Sequence, residues 1–182
     1  MNSEMGTAHR KPYLARAASP LSRISEGDPV LGVRRKVYLL PGQLHASAEP
    51  CQISTILGSC VAVCLFDPTR LAGGMNHFLL PSSRKGESVS LRFGDTATIA
   101  LLEKLLALGC RLESITAKMF GGSALFRGKD RYSESLGAKN VAAARQLMEN
   151  AGIRIVAQET GGDHGRKVVF DTDDGVAWSR RV

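Results

Sequence analysis

The sequence predicts one mixed α/β or α+β domain over roughly residues 35–182. Short β-branched runs are punctuated by Gly and Pro, the pattern of strands ending in turns. Two longer segments instead repeat their apolar residues at helical spacing. The composition is that of an ordinary soluble globular chain, with 43% hydrophobic and 23% charged residues among 182. That length suffices to bury a sizeable core.

Arg35–Leu40 reads as the first strand, closed by Pro41-Gly42. Gln52–Leu57 and Val61–Phe66 follow as strands around the turn Gly58-Ser59-Cys60, with a helix from Ser59 as the alternative for the second run. Asp67-Pro68 stops that run, and Gly73–Pro81 carries His77 on the next strand. Residues 82–93 are polar and read as a mobile loop. Asp95-Thr96 caps a helix to Leu108, with Ile99, Leu102, Leu105 and Leu106 on one face and Gly109 as the stop. Ile115–Phe120 returns as a strand into Gly121-Gly122. Asn140–Asn150 is a second amphipathic helix with Val141, Ala144, Leu147 and Met148 inward, ended by Gly152. Ile153–Ala157 and Lys167–Phe170 complete the strands, joined in a hairpin-like arrangement through Gly161–Gly165. The chain has no internal repeat.

Charge is unevenly distributed. Residues 1–36 carry seven cations against three anions, a net +4 of the chain's +7. The body is only mildly basic, which argues against a nucleic-acid groove in the folded part. Residues 1–34 read as a basic, disordered tail with too little apolar surface to fold. That segment lacks the apolar core of a secretory signal, and a transit peptide fits it only loosely. No apolar run approaches the roughly 20 residues that cross a bilayer. Four cysteines (Cys51, Cys60, Cys64, Cys110) without a CxxC pair point to a reducing compartment, hence the cytosol.

Cys60 carries the chemistry. Gly58 lets the backbone turn sharply ahead of the thiol, and a histidine on a neighbouring strand, His77, can hold it as the attacking thiolate. A hydroxyl from Ser54 or Thr55 can orient the ring, and backbone N–H groups at Gly58, Ser59 and Cys60 can stabilise an oxyanion. The bland alternative is a small buried hydrophobe, the state of most free cysteines. A zinc site from Cys60, Cys64 and His77 lacks a fourth ligand, so no metal is expected. His164 reads as a surface residue more readily than a substrate contact, and Arg166-Lys167 as a solvated pair. His9 and His45 fall in the tail and an early loop and take no role. Gly121-Gly122 and Gly161-Gly162 lack Walker or Rossmann spacing and read as turns near the site.

The motifs Ser54–Leu65, Gly73–Pro81, Lys118–Gly122, Leu136–Val141 and Glu159–Val168, in that order, closely resemble the CheD family of bacterial chemoreceptor glutamine deamidases. The resemblance covers nearly everything after residue 35. It implies a layered α-β-(β)-α sandwich like the catalytic domain of cytotoxic necrotizing factor toxins, and a Cys-His-Thr triad. The family's Cys maps to Cys60 and its His to His77. Its Thr lies six residues before the Cys, a position held here by Ser54 with Thr55 beside it, so either hydroxyl can be the third member.

The implied reaction hydrolyses glutamine side-chain amides on methyl-accepting chemotaxis proteins to glutamate, through a thioester and without metal or organic cofactor. The implied partners are the cytoplasmic helices of those receptors and, in some members, a CheC-type phosphatase; neither nucleic acid nor membrane insertion is expected. The alternatives are a non-catalytic docking module and a cysteine protease. Nothing in the sequence separates side-chain amides from peptide bonds.

Overall fold

Nine strands and two α-helices form three layers among the described residues: helices, a five-stranded sheet and a four-stranded sheet. The computed structural model describes residues 34–83, Gly86, 88–124 and 135–182. The expected N-terminal tail therefore lies outside the described residues apart from Arg34, as do Arg84, Lys85 and Glu87 of the expected loop. Residues Arg34–Val182 make one compact unit. No helix among the described residues is long and apolar enough to cross a membrane.

The four-stranded sheet runs β1 (Arg35–Tyr38), β3 (Cys51–Leu57), β8 (Arg166–Asp171), β9 (Ala177–Arg181). The five-stranded sheet runs β2 (Gln43–Ser47), β5 (Ala72–His77), β4 (Val61–Asp67), β6 (Thr116–Gly121), β7 (Arg154–Thr160). Helices α1 (Gly94–Ala107) and α2 (Leu136–Asn150) both pack on the five-stranded sheet. Of the expected α-β-(β)-α layering, then, the described residues supply helix, sheet and sheet, with no helix beyond the four-stranded sheet.

Strand β4 explains why its sequence is almost continuously apolar. Val61, Val63 and Leu65 face the helices, while Ala62 and Cys64 face the other sheet, so neither side of the pleat meets water. Gly73 and Gly74 thin the neighbouring β5 on both sides. A Cβ on Gly74 would stand 2.7 Å from Leu101 of α1, and one on Gly73 2.9 Å from the Phe170 ring of the opposite sheet. The glycines are what let both layers close onto one strand.

Several elements differ from the expectations. Strands β7 and β8 are not a hairpin: β7 pairs with β6, β8 with β3 and β9, so residues 161–165 carry the chain from one sheet to the other. Strands β2 and β9 are five-residue edge strands with two apolar residues each, too short to read from sequence; His45 accordingly sits on β2 opposite Met75, not in a loop. Helix α1 is preceded by Phe93 with no side-chain cap, and Asp95 instead binds the Ser83 amide at 3.1 Å. Its buried face is Ala97, Thr98, Leu101 and Leu105, which leaves Ile99 and Leu106 exposed. Helix α2 begins at Leu136, four residues early, because Ser135 caps it by accepting from the Ala138 amide at 3.1 Å.

These assignments separate two leucines of one helix. Leu101 is 0% exposed and Leu106 43%. Leu101→Ala should cost about 2–5 kcal/mol of stability and Leu106→Ala under about 1 kcal/mol, as read by urea unfolding. Equal losses would reject this orientation of α1.

Candidate functional site

Cys60 and His77 flank the point where the β4–β5 ladder ends. Val61 and Phe78 exchange both backbone bonds, at 3.2 and 3.0 Å, as the last pair of that ladder. Cys60 precedes Val61 and His77 precedes Phe78, so both side chains leave the sheet on the face opposite Val61 and Phe78. They are diagonal neighbours there. The face is the one towards the second sheet, and Cys60 packs against the core between the sheets.

Strand parity decides between the two hydroxyls. In β3, Ile53, Thr55 and Leu57 are buried between the sheets, and Ser54 lies on the outer face in the row Tyr38, Ser54, Val169, Trp178. Thr55 Oγ1 reaches His77 Nδ1 at 2.8 Å. The structure thus brings Thr55 to the imidazole and turns Ser54 away from it. A one-residue step along a strand reverses the face, so both hydroxyls cannot serve one site.

The proton on the ring follows from the same contact. Thr55 Oγ1 donates its single proton to the Leu39 carbonyl at 2.8 Å. It therefore accepts from Nδ1–H of His77, which leaves the lone pair on Nε2. Nε2 is buried and has no hydrogen-bond partner. Its ring lies on the sheet face shared with Cys60.

Burial acts on both groups. It lowers His77, only 2% exposed, to about 4, against a smaller opposing pull from the Leu39 carbonyl. It also raises the Cys60 thiol above its ordinary value, only partly offset by its own backbone N–H. Both shifts favour neutral thiol beside neutral imidazole. Neither shift favours the thiolate that the sequence reading has His77 hold.

The turn is held from three directions. Gly122 N–H donates to the Cys60 carbonyl at 2.7 Å and Ser123 N–H to the Gly58 carbonyl at 2.8 Å. Asn140 of α2 donates to the Ser59 and Leu79 carbonyls at 2.9 and 2.8 Å. The amides of Ser59 and Cys60 donate to no backbone carbonyl among the described residues.

Arg166 corrects an expectation. It is 2% exposed rather than solvated, and its guanidinium donates to the carbonyls of Gly121 and Gly161 at 2.9 and 2.8 Å. Asn140 and Arg166 are the polar residues that sequence reasoning missed as parts of this site. Each stands in a quoted motif, but a lone Asn or Arg carries no signal of burial. His164 is partly exposed, with Nδ1 3.3 Å from the Asp163 carboxylate, and lies on the loop that Arg166 braces. Cys64 is wholly buried, and burial raises its thiol further still. A cleft of about 280 Å³ lined by Leu80, Ser90, Arg92 and Phe93 lies beyond the end of β5 and does not include Cys60.

Residues 79–181 match the family model of CheD, described as chemotactic sensory transduction. A probable chemoreceptor glutamine deamidase of Anaeromyxobacter dehalogenans is 46% identical over 151 residues, 83% of this chain and 87% of that protein. Proteins of the same description from Trichlorobacter lovleyi and Rhodospirillum rubrum are 41% and 44% identical. They align over 83% and 81% of this chain, and over 91% and 82% of their own lengths.

The protonation state is open to direct test. Of the four cysteines only Cys60 is not buried, so iodoacetamide read by peptide mass spectrometry reports on it selectively. A raised thiol pKa and a lowered imidazole pKa both keep thiolate scarce at neutral pH. The alkylation rate should therefore rise about tenfold per pH unit from about pH 6 to 8. A plateau across that range would mean a preformed thiolate–imidazolium pair.

Proposed function

The chain belongs to the CheD family, and from that premise we propose that it is a protein-glutamine glutaminase of chemotaxis, hydrolysing glutamine side-chain amides of chemoreceptors to glutamate with Cys60 as nucleophile. One observation carries the mechanistic part. Thr55 fixes the proton of His77 on Nδ1, and the bare, buried Nε2 stands on the face of Cys60. A substrate carboxamide laid over the thiol would then be attacked as Nε2 takes the thiol proton. The S–C bond forms, the carbonyl oxygen becomes an oxyanion, and the amides of Ser59 and Cys60 are the donors at hand for it.

Collapse of that intermediate breaks the C–N bond, and His77 returns its proton to the leaving nitrogen, so ammonia departs and a thioester remains. Water enters where ammonia left and gives a proton to Nε2 as it adds. The tetrahedral adduct breaks its C–S bond to give the carboxylic acid, the thiolate of Cys60 takes its proton back from Nε2, and the acid ionises to carboxylate by passing its remaining proton to solvent. These steps need no metal and no organic cofactor. Thr55 stays fixed throughout: its hydroxyl stabilises the transient imidazolium and prevents the ring from flipping.

The same reading assigns the substrate to the cytoplasmic helices of methyl-accepting chemotaxis proteins, and the enzyme to the cytoplasm. It also takes the domain to begin near residue 35 and its layers to be akin to the catalytic domain of cytotoxic necrotizing factor toxins. Docking without chemistry, to a receptor or to a CheC-type phosphatase, is the alternative.

A receptor cytoplasmic fragment incubated with the protein should convert glutamine to glutamate with release of ammonia, and Cys60→Ala should abolish both. Intact glutamines despite measured receptor binding would favour docking alone. Within the active enzyme, Thr55→Ala should lower kcat about 10- to 100-fold, while Ser54→Ala should stay within about threefold of wild type. The reverse order would reassign the third member to Ser54.

A further inference from the structure

We propose that Asn140 is a positioning residue that sets the register between Cys60 and His77; this rests on the thiol–imidazole reading above. Asn140 is completely buried near the start of α2, far in sequence from both residues. One carboxamide nitrogen spends both protons on two backbone carbonyls, Ser59 at 2.9 Å and Leu79 at 2.8 Å. Ser59 immediately precedes Cys60, and Leu79 follows His77 by two residues. The side chain therefore grips both segments that carry the pair.

The grip sits where backbone pairing fails. After Val61–Phe78 the two strands part, because the amides of Leu79 and Leu80 turn to the Arg92 carbonyl at 2.9 and 3.0 Å. Beyond that point Asn140 replaces the missing ladder bonds and bridges the splay. Close packing brings it there. A Cβ on Gly137 would collide with the Gly122 carbonyl, and one on Gly122 with Val141, so α2 approaches the segment that holds Cys60 only through paired glycines.

The arrangement carries a cost that fold alone does not explain. Oδ1 of Asn140 is buried without a hydrogen-bond partner. A buried acceptor left unsatisfied costs about 1–3 kcal/mol. An apolar residue would avoid that cost but supplies no donors to the two carbonyls. What the carboxamide uniquely provides is two donors from a single atom, and they meet the two segments whose relative placement the chemistry requires.

The test separates positioning from folding. In Asn140→Ala, kcat on a receptor fragment should fall about 10- to 100-fold with KM within about twofold, counted per folded enzyme. The second measurement needs no substrate. The side-chain ¹⁵N resonance of His77 Nε2 should move when Cys60 is replaced by Ala in the Asn140 protein, and should not move in the Asn140→Ala protein. A shift of equal size in both backgrounds overturns the positioning role, as does an unchanged kcat. No shift even with Asn140 present overturns the thiol–imidazole pairing itself, and this inference with it. Should Asn140→Ala fail to fold, Asn140→Ser, which keeps one shorter donor, is judged by the same two readouts.

Discussion

The hydroxyl of Thr55 is the point at which the two sheets become one site. It belongs to the four-stranded sheet, the imidazole it receives belongs to the five-stranded sheet, and the carbonyl it serves is that of Leu39, in the segment that passes between them. A hydroxyl has one proton. Because Leu39 takes it, His77 must offer its own, and the tautomer is decided by that count rather than by any charge. Remove the oxygen and three things are lost together: an acceptor for Nδ1, the donor to a buried carbonyl, and a cross-sheet tether beside the nucleophile.

Around that contact the protein relies on backbone held tightly rather than on charged side chains in the cleft. Gly121 and Gly122 both adopt positive φ, and a Cβ on Gly121 would strike the Cys60 carbonyl, so the β6 exit lies directly against the nucleophile turn. Arg166 sits behind this segment and bonds the carbonyls of Gly121 and Gly161. A buried guanidinium is costly unless its donors are used, and bonds from a charged donor are worth about 1.5–3 kcal/mol each. It braces the two glycine pairs against each other, and among the described residues the Ser59 and Cys60 amides donate to no backbone carbonyl.

Much of this was legible in sequence where the signal is periodic or punctuated. The runs that became β3 and β4 announced themselves by β-branched residues on either side of the Gly58-Ser59-Cys60 turn, and β5 by the Gly73-Gly74 and Pro81 that bracket it. Edge strands β2 and β9 were not legible, since each is five residues long and carries only two apolar side chains. The inward face of α1 was misread because Ile99 and Leu106 are as apolar as Leu101; only the small Ala97 and Thr98 mark where the helix meets β5. The contest between Ser54 and Thr55 was undecidable without register. Once Ile53 and Leu57 are known to face the core, Thr55 must share their side and Ser54 cannot. Arg166 and Asn140 were invisible for a deeper reason: their partners are backbone carbonyls, which every residue has.

The electrostatics of the pair follow from the same architecture. Burial that shields the imidazole from water also strips it of the solvent that would support a charge, and among the described residues no carboxylate pairs with it: its Nδ1 partner is a neutral hydroxyl. A hydroxyl orients without stabilising imidazolium as strongly as an anion does, so burial favours the neutral form of each group. That state is less prone to alkylation and oxidation than a standing thiolate, because the reactive form is the scarce one. In the proposed reaction, reactivity arises at the moment of attack, when the developing oxyanion meets the Ser59 and Cys60 amides and makes transfer of the thiol proton to Nε2 favourable. On that reading orientation of the two groups, rather than a depressed thiol pKa, is what the fold supplies, through the hydrogen bonds from Thr55, Gly122 and Asn140.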